Sequence, residues 1–88
     1  MGQLLSGQMS VGTVPSRVDG ISNNPVLLHI HNNDNSDNIY LGNESVTTTT
    51  GLVLSKLDSI ELTMHQGNTV WLVSNKNDHV ASWIAQIL

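Results

Sequence analysis

The amino-acid sequence predicts an all-β domain, a small antiparallel β-sandwich or compact barrel with an extended N-terminal arm. Short runs of β-branched and apolar residues alternate with polar ones, and clusters of Asn, Asp, Ser and Gly separate the runs at intervals of about ten residues. The chain has 88 residues and no cysteine, enough for one hydrophobic core but without disulfides to support it. A core of this size is marginal alone, which points to association with other subunits as the remaining source of stability.

The first twenty residues are punctuated by Gly2, Gly7, Gly12, Pro15 and Gly20, so residues 1–20 read as an arm with a first strand near Gln8–Val14, and 21–88 as the sandwich domain. Val26 to His31 alternates, with Val26, Leu28 and Ile30 on one face and Leu27, His29 and His31 on the other. Asn32 to Asn38 is a loop of residues that bond their own backbone. Ile39-Tyr40-Leu41 forms a strand, Gly42-Asn43 a turn, Val46 to Thr50 a β-branched strand and Leu52-Val53-Leu54 another. Ser59 to Met64 has the clearest period of two, with Ile60, Leu62 and Met64 inward. After the turn at Gln66-Gly67-Asn68, Val70 to Val73 is apolar on both faces, so one face is expected to meet a neighbour. Asn75 to Asp78 turns the chain again. His79 to Leu88 is read as a strand, although Val80, Trp83, Ile84 and Ile87 also fit a helical spacing; ten residues with no capping box make a poor helix.

Charge narrows the function. Arg17, Lys56 and Lys76 stand against seven carboxylates, a balance that repels phosphate backbones and argues against nucleic-acid binding. No stretch approaches the roughly twenty apolar residues of a membrane-spanning helix, and the N-terminus lacks a signal-peptide pattern. No membrane partner is expected, and synthesis in the cytoplasm is.

No residues are assigned to catalysis, and neither a cofactor nor a metal is expected. His29 and His31 are spaced to grip one ion from a strand, as in cupin-type sites, but Asn33, Asp34 and Asn35 stand where a glutamate is wanted. His65 or His79 would have to supply a third ligand. Asp34 to Asn38 departs from the calcium-loop spacing, with Ile39 and Ser45 at the glycine and glutamate places. No nucleophile elbow occurs, and Glu44, Asp58 and Glu61 read as surface carboxylates. Asn43-Glu44-Ser45 fits a glycosylation acceptor only by chance. Trp71 and Trp83 are expected in the core.

Asn38 to Thr47, Gly51 to Leu54, Asp58 to Leu62 and Val70-Trp71-Leu72-Val73 together resemble small β-rich structural proteins of tailed bacteriophages. That resemblance implies a virion component: a capsid decoration or cement protein, a head-fibre base, or a small domain of the tail. Its implied partners are the major capsid protein and copies of itself, as a homotrimer by analogy. The candidate interface residues are Leu4, Leu5, Val70, Trp71, Val73, His29 and His31, with the arm reaching along a neighbour. A tail or fibre carbohydrate-binding module, using exposed Tyr40 or Trp83, and a small cupin-like metalloprotein are the alternatives.

Overall fold

A computed structural model describes residues 4–18 and 25–88. Eight strands run in the order β1 Leu4–Val11, β2 Ser16–Arg17, β3 Val26–Asn32, β4 Ile39–Gly42, β5 Leu52–Leu54, β6 Ser59–Met64, β7 Trp71–Ser74 and β8 His79–Ile87. They form two antiparallel four-stranded sheets, ordered β1-β8-β3-β6 and β2-β7-β4-β5. The described residues contain no helix. This is a β-sandwich with the strand order of a jelly roll, in which the chain passes repeatedly from one sheet to the other.

The period-two pattern determines what lies between the sheets. Val26, Leu28 and Ile30 are fully buried, whereas Leu27, His29 and His31 are only partly so. On β8 the buried residues are His79, Ala81 and Ala85, with half-buried Trp83 and Ile87 in the same alternation. The helical spacing of Val80, Trp83, Ile84 and Ile87 is therefore split between two faces of a strand. Rows across the first sheet set large residues beside small ones, which lets the layers interdigitate. Leu28 lies between Ala85 and Leu62, and Trp83 between Gly7 and Ile30.

Two expectations are corrected. Within the described residues 4–18 the N-terminal segment is not an arm: β1 pairs with β8 along its whole length, from Leu4↔Gln86 to Val11↔His79, and Val18 is buried in the core. The first strand starts earlier than Gln8 because Gly7 does not break it. Gly7 sits opposite Trp83, and a side chain there would come within 3.0 Å of the indole. The glycine makes room for a ring; it is not a hinge.

Val46 to Thr50 is also not a strand. Its amides turn locally, with Val46 N donating to Asn43 O and Gly51 N to Thr47 O. Thr47 N donates to Thr50 Oγ1 and Thr49 N to Thr47 Oγ1, so hydroxyls occupy positions that a ladder would need. Val46 is buried, wedged where a Cβ on Gly42 or Gly51 would stand 2.7 or 2.8 Å from its methyl group.

Candidate functional site

The outward face of the β1-β8-β3-β6 sheet is almost uncharged. Glu61 is the only Asp, Glu, Lys or Arg in its four strands, and Arg17, Lys56 and Lys76 all lie outside them. One cross-strand row runs Ser6, Ile84, His29 and Glu61, and the next runs Leu4, Gln86, Leu27 and Thr63. Leu4 is 64% exposed, Val80 40% and Ile84 42%. A shallow hollow of about 190 Å³ lies among Leu4, Leu27, His29, Glu61, Ile84 and Gln86.

Three of the residues expected at an interface, Leu4, His29 and His31, share this face. His31 is held by Asn33, whose Oδ1 accepts from His31 Nδ1 at 2.6 Å while its Nδ2 donates to Ser82 Oγ at 2.6 Å. Leu5 points the other way and packs against the core. Val70 and Val73 are buried within the chain, so neither is an interface residue. Val73 does lie in the outward row with Tyr40 and Val53. The chain's own 43–51 loop closes over that side, and Val46 and Val73 line one open hollow of about 500 Å³. The apolar outer face of β7 is thus covered without a partner. Trp71 remains half-buried.

The edges of the sheets differ. β2 is two residues long, follows Pro15 and carries Arg17; β5 has three residues; β6 carries Glu61. Short length, proline and charge each discourage further pairing. β1 has none of these. Its eight residues, LLSGQMSV, pair with β8 on one side and, among the described residues, with no strand on the other.

A second cluster is buried where β3, β7 and β8 meet. His79 Nε2 lies 2.7 Å from Asn32 Oδ1, and His79 Nδ1 lies 2.9 Å from Ser74 Oγ. Asn32 Nδ2 donates to the carbonyls of Asp37, Leu54 and Ser55 at 3.0, 3.2 and 3.2 Å. Its Oδ1 therefore faces the ring, so Nε2 carries the proton and Nδ1 accepts from the Ser74 hydroxyl. Ser74 Oγ in turn accepts from Lys76 N. The order Ser-His-Asn is that of a nucleophilic relay, but Asn32, Ser74 and His79 are at most 1% exposed, so the hydroxyl meets no substrate. The cluster ties the two sheets together and anchors the 33–38 loop. Above it, Lys76 Nζ pairs with Asp34 and, at 3.1 Å, with Asp37. The ammonium, with bonds from Ser36, holds the Asp34 carboxyl well below the usual carboxylate range, and Asp34 raises Lys76.

Burial pushes the His79 imidazole below its ordinary value, against the opposing pull of the Asp34 carboxylate. The unfolded chain takes up this proton at about pH 6.5 and the folded chain only at lower pH. Stability is therefore full above that value and falls as pH drops toward the folded pKa, at no more than about 1.4 kcal/mol per pH unit for one proton. Urea unfolding across this range is expected to show the slope in the wild type and a flatter profile in His79→Gln. Equal slopes would remove His79 as the cause.

Neither His65 nor His79 joins His29 and His31: His65 lies on an exposed turn and His79 is buried inside the sandwich. Among the described residues no group of three or more potential ligands converges. Trp83 packs on the core, and Tyr40 is half-buried beside Gly51.

No protein-family model matches the chain, and no curated protein does. Among solved structures it is similar to one described as "Bacillus endospore appendages form a novel family of disulfide-linked pili". The two share 15% identity with a TM-score of 0.65, over 99% of this chain and 84% of that one. The likeness establishes the fold. It also corrects the expectation of a phage capsid decoration protein, since the matching architecture comes from a bacterial appendage.

Proposed function

We propose that the chain is a non-catalytic structural subunit that joins further protein copies into an ordered assembly. The observation that carries this reading is β1, an eight-residue edge strand with no charge and no proline beside an almost uncharged sheet face. Such an edge presents a row of backbone donors and acceptors that pair readily with another strand. The fold shared with an appendage protein supports the same reading. The pili of that description are disulfide-linked, whereas this chain has no cysteine. Association here would rest on backbone pairing and apolar contact.

Sedimentation velocity across a wide concentration range tests it. The wild type is expected to sediment faster as concentration rises. Gln8→Lys, which places a charge on the exposed side of β1, is expected to weaken association about tenfold or more while melting at a similar temperature. A wild-type protein that stays monomeric at every concentration would sink the proposal.

A further inference from the structure

We infer that β1 pairs with β1 of a second copy, antiparallel, about a two-fold axis passing through Gly7. This deepens the assembly reading above and rests on it. The two edges of the sheet set the choice. Pairing β1 with β6 of another copy would set an eight-residue strand against a six-residue one and bring Glu61 into the seam. Pairing β1 with itself matches lengths and brings in no charge.

The sequence of β1 is self-complementary about Gly7. With the axis there, Leu5 faces Met9 of the other copy on the inner side, twice. Leu5 and Met9 are the half-buried residues with which β1 packs against the core, and they lie at the open end of their rows. Each would gain an apolar neighbour. Gly7 would face Gly7, two residues with no side chain, beside the Trp83 rings that fill the space in front of them. On the outer side Ser6 would face Gln8, and Leu4 would face Ser10. Ser10 lies beside Val80 in its own sheet, so the small serine would let the second copy's exposed leucine approach Val80. The joined sheet would have eight strands and no unpaired β1 edge. Such an isologous contact closes on itself, so the dimer would be the unit from which any larger assembly is built.

The absence of cysteine permits a clean test. Directly opposed residues of an antiparallel pair stand about 4.5–5.5 Å apart, within disulfide reach, and residues offset by two do not. Ser6→Cys and Gln8→Cys mixed under mild oxidation are expected to yield covalent dimer, and either alone little. Leu4→Cys mixed with Ser10→Cys gives a second pair should one variant fold poorly by circular dichroism. Cross-linking of Gln8→Cys to Thr63→Cys on β6 instead would overturn the two-fold pairing and leave the assembly reading standing. So would failure of both mixtures to cross-link while the wild type sediments as an oligomer. A wild type that sediments as a monomer, with no cross-link in any mixture, would remove both.

Discussion

Replacing Asn32 with leucine is expected to lower the unfolding free energy by about 3–5 kcal/mol, read as a fall in the urea midpoint at unchanged slope. Leucine has the same four-heavy-atom side chain as asparagine, branched at Cγ, so the loss is not mainly one of packing. It is one of partners. The Asn32 amide donates to three carbonyls, and its oxygen accepts from His79 and from Asp34 N at 3.0 Å. Leucine would leave the His79 N–H buried and unpaired and strip the carbonyls at the end of β5 of a donor. Lys76, Asp34 and Asp37 bridge only the surface above, where solvent weakens an ion pair, and would not make good the loss. Asn32→Asp is expected to do comparable damage, because an acceptor-only carboxylate would face those carbonyls. A leucine variant within 1 kcal/mol of wild type, on the scale of one ordinary hydrogen bond, would mean that water replaces the lost partners.

Leu28→Ala is expected to cost about 3–4 kcal/mol, in the middle of the range for such truncations. Leu28 is fully buried in the middle of the first sheet, beside Ala85 on one side and Leu62 on the other. Ala85 is too short to fill the space that the shortened side chain would leave, and strands hydrogen-bonded on both sides cannot close in. Leu62, on edge strand β6 and only half-buried, is expected to lose roughly half as much on the same truncation, because its site is open enough to relax. Chemical denaturation of the two variants side by side checks the ranking. Equal losses would mean that the β6 edge is packed as tightly as the sheet centre.

That ranking shows where the sequence is legible and where it is not. Ser59 to Met64 displays the plainest alternation in the chain, and its inward residues Ile60, Leu62 and Met64 do face the core. Clarity of pattern does not measure depth, however, because alternation is strongest where one face meets water, as at an edge. The strand–turn succession from Val26 to Leu41 and the turns at Gly67 and Asn75 to Asp78 follow directly from residue type.

Asn32 is less legible. It heads a run of turn-forming residues and reads as loop, yet it continues the inward set Val26, Leu28 and Ile30 by one more step. The same side chain that mimics a backbone in a turn serves here to bond one inside the sandwich. His79 is similar: counting inward positions back from Ala85 and Ala81 reaches it, but nothing local reveals Ser74 and Asn32 as its partners. The apolar outer face of β7 misled for another reason. Apolar residues on both faces show that something covers the strand, without showing whether the cover is another molecule or the chain's own loop. Val46, wedged beside Gly42 and Gly51, is that cover.

The place of β8 between β1 and β3 has a consequence for how the domain comes into being. The strand that holds the first sheet together is the last one along the chain, so β1 and β3 have no common neighbour until residues 79–87 have left the ribosome. Until then β1 waits with its apolar side chains exposed, and each residue it will meet on β8 is more than sixty residues away in sequence. Contacts of such range are slow to form, and sandwich proteins dominated by them fold in about milliseconds to seconds. Synthesis at about 5–20 residues per second therefore gives β1 several seconds in which to find another strand before its own partner exists. A nascent chain carrying a free, uncharged strand of this kind is exposed to capture by its neighbours on the same message.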